Sequence, residues 1–301
     1  MNRRNFIKNT ALATGAISAG SLLLACEQEE EKKLTILHTN DVHSHIEGFP
    51  KGHKYEGLGG ISGRAALIEQ IRNEQDHVLL LDAGDIFQGT PYFNFFGGEL
   101  ELKLMSTMKY DAATMGNHDF DNGIDGFLAQ LPHAAFDFLC ANYDFTNTVL
   151  DGYTHRKKII DKGGIKIGLF GLGVELNGLV DQALYKETKY LNPVEIAQDV
   201  VQELRNEDAC DLVICLSHLG YHYNSNKIDD LKLAHSTDGI DFILGGHTHT
   251  FLEKPSQVKS RNGGDVWVNQ TGCYGVNLGR IDVVLSKAKP RITHAAMLPL
   301  V

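Results

Sequence analysis

The sequence predicts an α/β protein built on largely parallel strands covered by helices on both faces. Three observations carry this. Short apolar runs rich in Val, Ile and Leu recur along the body, segments with helical spacing separate them, and five of the runs end directly in clusters of Gly, Asp, Asn, Ser and His. Runs of strand length that are apolar at every position suit a sheet buried on both faces, since neither face meets water. With 301 residues, 43% of them hydrophobic and 22% charged, the chain can bury a large core, which excludes a disordered chain, a coiled coil and a disulfide miniprotein.

Residues 1–26 read as an address. Asn2, Arg3, Arg4, Asn5, Phe6, Ile7 and Lys8 form a twin-arginine pattern, followed by an uncharged run over 10–25 rich in Ala, Leu and Gly. That run is shorter than the roughly 20 residues a membrane span needs. It closes on Leu23, Leu24, Ala25 and Cys26, which resembles the lipobox of bacterial lipoproteins. The resemblance implies a signal peptide ending at Cys26, lipidation of Cys26, an acidic tether over 27–33 and a body over 34–301. The expected product is an exported lipoprotein anchored to a membrane at Cys26 and facing the periplasm or cell surface. An uncleaved N-terminal anchor is the other reading, and it too puts the body outside the cytoplasm.

Along the body the expected strands are 34–38, 78–82, 112–115, 136–142, 165–171, 212–216 and 240–244. Helical spacing covers 61–73, 99–109 and 193–206, the last with Pro193 in its first turn, where a missing N–H costs nothing. Segments 266–268 and 278–285 read as closing strands, and no repeat or long linker interrupts a single domain. The net charge is −10, and the only basic residues of the first 26 lie in the segment expected to be removed. Such an acidic body lacks the broad positive surface that nonspecific nucleic-acid binding needs, so no nucleic-acid partner is expected.

The polar clusters are Asp41-Val42-His43, Gly84-Asp85, Gly116-Asn117-His118-Asp119, Ser217-His218 and Gly245-Gly246-His247-Thr248-His249. In an open α/β sheet, ligands bind beyond the carboxyl ends of the strands, so all five would meet at one edge. One histidine at a strand end is usually a core or surface residue. Five such clusters in succession point to a metal centre. Carboxylate, amide and imidazole donors together suit Zn, Mn, Fe or Co rather than an all-oxygen magnesium cage.

In this order the clusters resemble those of the binuclear metallophosphoesterases, and within them the 5'-nucleotidase family. Narrower signs are Thr39-Asn40-Asp41-Val42-His43 with Gly59-Gly60 after it, Gly84-Asp85-Ile86-Phe87-Gln88-Gly89, and Asn117-His118-Asp119-Phe120-Asp121. The resemblance implies a four-layer α/β/β/α sandwich with the dimetal site at the C-terminal strand edge. It implies that two divalent metal ions bind, one on Asp41, His43 and His249, the other on Asn117, His218 and His247, with Asp85 bridging. The implied reaction is hydrolysis of a phosphate ester by a metal-activated water, with His118 stabilising the transition state or acting as general acid and Asp121 fixing its tautomer. Asp119 is left between chemistry and orienting its loop. His38, His45 and His53 are expected to be structural or solvent-facing.

Pro91, Tyr92, Phe93, Phe95 and Phe96 form an aromatic patch, expected to pack beneath the following helix rather than stack a substrate base. Cys140 and Cys215 close apolar runs and are expected as buried thiols, while the even number of body cysteines keeps one disulfide open. Asn269-Gln270-Thr271 matches a glycosylation acceptor, an idle match in a bacterial lipoprotein. The phosphate-cradling, dinucleotide and nucleophile-elbow motifs are not matched.

Full-length 5'-nucleotidases carry a second, C-terminal domain that recognises the nucleotide, whereas this sequence runs only 52 residues past His249. The expectation is therefore a 5'-nucleotidase-like phosphomonoesterase of weak selectivity, whose nucleotide site a separate polypeptide resembling the C-terminal domain could complete. Alternatives on the same metal site are a 2',3'-cyclic phosphodiesterase, a nucleotide-sugar pyrophosphatase and a thiosulfohydrolase-like enzyme. An alternative of another class is a noncatalytic binding subunit of a split nucleotidase.

Overall fold

The computed structural model describes residues 31–286 and 289–301. The twin-arginine segment, Cys26 and most of the expected tether lie outside the described residues. The strands are β1 (Lys32–Thr39), β2 (Val78–Asp82), β3 (Ala112–Ala113), β4 (Asp137–Phe138), β5 (Tyr143–Asp144), β6 (Lys157–Lys162), β7 (Ile165–Leu172), β8 (Lys189–Tyr190), β9 (Leu212–Ser217), β10 (Phe242–Gly245), β11 (Ser256–Lys259), β12 (Asp265–Asn269), β13 (Asn277–Ser286) and β14 (Lys289–Pro299). They form a six-stranded sheet in the order β14-β13-β1-β2-β3-β4, a second in the order β11-β12-β10-β9-β7-β6, and the small pair β5-β8. In the first sheet β1 to β4 run parallel and the antiparallel β13 and β14 close one edge, while in the second the parallel middle has an antiparallel strand, β11 or β6, at each edge.

Side-chain alternation explains the layering. From β2, Leu79 and Leu81 join Leu212, Ile214 and Leu216 of β9 in one apolar layer between the sheets. The other face of the first sheet, with Val78 and Leu80, packs on Ile68 and Ile71 of helix α1 (Ile61–Glu74). Phe93 of α2 (Pro91–Phe96), Leu102 and Met105 of α3 (Glu99–Thr107) and Phe127 of α4 (Gly123–Gln130) extend that layer. Behind the second sheet, Val213 and Cys215 meet residues such as Val200 and Leu233. These belong to α6 (Pro193–Gln202) and α7 (Asp230–Ser236), which follow the short α5 (Gln182–Tyr185). Three apolar layers thus separate four structural ones: helices, sheet, sheet, helices. Helix α6 begins as its sequence predicts, with Pro193 in the first turn and the Asn192 side chain accepting from the N–H groups of Val194 and Glu195.

Strand register sets the site. Thr39 pairs with Asp82, Leu172 with Ser217, and Gly245 with Ser217. The residues following β1 and β2 therefore emerge together from one sheet, and those following β9 and β10 from the other.

Candidate metal centre

The turns that follow β1, β2 and β10 carry functional side chains on strained backbone, whereas Asn117 has ordinary helical φ and ψ. Asp41, His43, Asp85, His247 and His249 have φ between 50° and 72°, a region that L residues enter at a cost and keep where the surroundings hold them. Cross-loop bonds supply that hold. The N–H groups of Asp41, His43 and Ser44 donate to the carbonyls of Gly84, Asp85 and Ile86 at 2.9, 3.0 and 2.8 Å. Gly116 passes so close to the Asp85 carboxylate that a Cβ there would collide with it.

Ligand-capable atoms gather in two groups, Asp41 with His43 and His249, and Asp85 with His218 and His247, each within 4.8 Å internally. Asp85 Oδ2 lies 3.1 Å from His218 Nε2 and 3.8 Å from His43 Nε2, so it faces both groups. Asp41 Oδ1 lies 3.3 Å from His249 Nε2, and His43 Nε2 is 3.0 Å from His249 Nε2. Among the described residues, the buried Asn117 Oδ1 has no partner, and the buried His218 Nε2 lacks hydrogen-bond geometry to any acceptor despite its nearness to Asp85. Buried polar atoms are rarely left so, since an unmet lone pair costs on the order of 1–3 kcal/mol. A cation between these groups would satisfy all of them, and the donor chemistry fits divalent transition metals.

Electrostatics point the same way. Burial disfavours a charged His218, but Asp85 and then Asp41 outweigh it and push its pKa up to about 10. His249 rises to about 10 against burial through its contact with Asp41. Asp85 is held below the usual carboxylate range because His218 and His43 overcome its burial. Burial, then the charge on His218, drives His247 down to about 4. The carboxylates thus need positive charge, which protons on His218 and His249 supply and metal ions would replace.

Outer contacts hold the rings and loops. The His218 ring donates from Nδ1 to the Ala83 carbonyl at 2.7 Å, which turns Nε2 toward Asp85. Asp119, left open by the sequence, is a loop organiser: its carboxylate accepts from the N–H groups of Asp85, Ile86, Phe87 and Gly116 at 2.8–3.1 Å. His118 stands apart from the two groups and is half-buried, its ring centroid 5.2 Å from that of His43. Its Nδ1 bonds to Asp121 Oδ2 at 2.9 Å, so Nε2 remains available. That bond raises the His118 pKa above its ordinary value, and burial opposes it.

The sequence reading quoted Asn40 and Gln270 within motifs but gave neither a role at the site. Asn40 donates to Asp41 Oδ2 at 2.6 Å and accepts from Thr271, while Gln270 donates to the Gly246 carbonyl at 2.7 Å. Asn269, Gln270 and Thr271 are buried in this lattice of bonds, which leaves no room for a glycan. Tyr274 went unread, and its ring lies 5.8 Å from His43 and 5.6 Å from His249. The aromatic patch behaves differently from the expectation: Phe93 packs inward, but Phe95 is 81% exposed and Phe96 is exposed beside it. Phe95 stands two positions after Phe93, about 200° round the helix, so it faces away from the core that Phe93 enters. Among the described residues the four cysteines, Cys140, Cys210, Cys215 and Cys273, are buried free thiols. His38 is buried and bonded to Asn269, His45 is half-buried against Tyr274, and His53 stacks in the open on Phe49.

Facing Asp and His groups at the carboxyl edge of two stacked sheets define a class, the metallophosphoesterases. The chain belongs to the calcineurin-like phosphoesterase family, whose profile matches residues 34–251. It is 36% identical over 282 residues to snake venom 5'-nucleotidase of Crotalus adamanteus, covering 84% of this chain and 45% of that one. It is 32% identical over 286 residues to the trifunctional nucleotide phosphoesterase protein YfkN of Bacillus subtilis, covering 84% of this chain and 18% of that one. The crystal structure of a 5'-nucleotidase precursor from Thermus thermophilus superposes with a TM-score of 0.82 at 32% identity, covering 89% of this chain and 54% of that one. The chain spans about half the length, or less, of these relatives.

Proposed function

We propose that the chain hydrolyses phosphate esters, with phosphomonoesters of nucleotides the leading class. The carrying observation is the Asp85 carboxylate set between two Asp/His groups, beside the unpartnered Asn117 Oδ1 and His218 Nε2. Asp41, His43 and His249 would hold one divalent ion, Asn117, His218 and His247 the other, and Asp85 both. Bound there, such ions supply Lewis acidity toward phosphoryl oxygens and lower the pKa of water.

The protein's own groups do the rest. His218, fixed by the Ala83 carbonyl, and Asp41, fixed by Asn40 and the His247 N–H, keep their donors in place without reorganisation. His118 carries a proton on Nδ1 toward Asp121 and, when charged, a second on Nε2, which it can give to the departing ester oxygen. The relatives that bear nucleotidase names support nucleotides as substrates.

Asp85→Asn tests this reading. The wild-type domain is expected to take up close to two ions by elemental analysis, and the variant fewer at both positions, because the shared charge is lost. A reconstituted wild type holding one ion or none would sink the assignment. The export reading, with Arg3 and Arg4 directing export and Cys26 lipidated, belongs to the same proposal. An intact-mass measurement showing an unmodified Cys26 in an uncleaved chain would refute it. A separate polypeptide docking over the metal edge would add nucleotide selectivity.

A further inference from the structure

A band of rings runs outward from the metal centre, and the chemistry above does not use it. Tyr274 stands at its inner end, against His43 and His249, with its N–H donating to the Asp41 carbonyl at 2.6 Å. Its ring centroid is 6.1 Å from Phe49 and 6.2 Å from Tyr55. At the outer end, Tyr55 and Phe251 stand nearly parallel, centroids 6.1 Å apart at 30°. Phe251 follows His249 by two residues and is 39% exposed, yet it is braced from behind. Its ring lies flat on Gly272, where any Cβ would strike it, and its backbone bridges to Thr271.

Aromatic rings usually gather to bury one another. These are half-exposed on loops, in a line that begins at candidate metal ligands. A phosphoryl group held at the metal centre must send its organic part over this edge or away from it. Along the edge it meets Tyr274 first, then the Tyr55 and Phe251 pair, which a small outward movement of Tyr55 would open to a flat ring.

We propose that Tyr55, Phe251 and Tyr274 form a subsite for a planar aromatic group carried by the ester substrate. The proposal rests on the phosphate-ester reading and adds a preference within it. Stacking accepts any flat π-face and rejects an aliphatic chain, so the subsite selects aromatic from aliphatic esters without reading one base against another. Tyr274 intervenes between the outer pair and the candidate ligands, its centroid 6.2 Å from Tyr55 and 5.6 Å from His249, and that spacing suits a ring set beyond a sugar, as in a nucleotide, more than one joined directly to the phosphate.

The test uses the metal-loaded protein and Tyr55→Ala, with Tyr55→Phe as the variant that keeps the ring. The ratio of kcat/KM for AMP to that for glycerol phosphate should fall about tenfold in Tyr55→Ala and hold in Tyr55→Phe. Because the measure is a ratio, partial misfolding cancels. A phenyl phosphate arm separates the two sources of an aromatic ring: a larger drop for AMP assigns the subsite to a nucleobase, a larger drop for phenyl phosphate to an aryl ester. Saturation-transfer NMR with adenosine, which needs no turnover, should show binding to wild type that Tyr55→Ala abolishes. Unchanged ratios together with unchanged adenosine signals would overturn the subsite. A protein that hydrolyses none of the esters would overturn the phosphate-ester reading, while the adenosine signal would still decide the subsite.

Discussion

His118 and His218 both follow apolar strands, but their surroundings assign them different work. His218 is buried, its Nδ1 bound to the Ala83 carbonyl and its Nε2 turned to Asp85. His118 is half-exposed and paired with Asp121. His218→Ala should therefore lose metal, whereas His118→Ala should keep metal near wild type and lose roughly 10²- to 10⁴-fold in turnover. Equal metal content in the two variants would contradict this division. The Asp121 bond raises the His118 pKa, so the proton stays available to higher pH, and activity should fall as pH rises through that value. Removing the carboxylate charge in Asp121→Asn lowers that pKa, and the alkaline fall of kcat/KM should begin at a lower pH. The residues around these histidines were legible because metal chemistry demands particular side-chain types at strand ends. Asn40, Gln270 and Tyr274 were not, since they act through bonds to residues distant in sequence.

At the level of elements, the parallel interior strands were readable and the edges were not. In β2 and β9 both faces are buried, so the sequence is apolar throughout and stands out as a run. In β6 and β11 one face meets water and lysines protect the edge, which leaves a weak alternation. Residues 112–115 and 136–142 read as full strands, yet only Ala112–Ala113 and Asp137–Phe138 pair, because the chain leaves the ladder early to build the Asn117 turn and the β4-to-β5 connection. Loops at the carboxyl edge are held by polar side chains rather than by ladder bonds. Asp119 serves four backbone N–H groups from two loops, and it is buried. Asp119→Ala would leave those donors unmet, so it should cost about 3 kcal/mol or more in denaturant unfolding and disturb metal uptake at Asp85. A variant as stable and as metal-competent as wild type would show that water replaces the carboxylate without loss.

For the whole molecule, two sheets stacked through one apolar layer bring five strand ends to one open edge, and that geometry decides what can be discriminated. In the proposed reaction the candidate metal centre would meet the phosphoryl group, which every phosphate ester shares, so the interaction there would separate substrates little. The aromatic band proposed as a subsite would meet the organic part through ring faces, and every base offers a similar face. Hydrogen bonds to base edges are what distinguish one base from another, because a wrong base leaves buried polar groups unpaired. The side-chain contacts described for the Tyr55 and Phe251 rings include other rings and the Lys54 ammonium, whose Nζ lies 4.8 Å over the Tyr55 ring. A cation over a ring strengthens stacking without reading an edge. The chain alone should therefore turn over AMP and UMP with kcat/KM values within about tenfold of each other, while both exceed ribose phosphate. The check is a kinetic comparison of the three esters on purified, metal-loaded protein. A strong preference for one nucleotide with no partner present would mean that this edge carries a base-reading pocket of its own, built from groups other than the ring band.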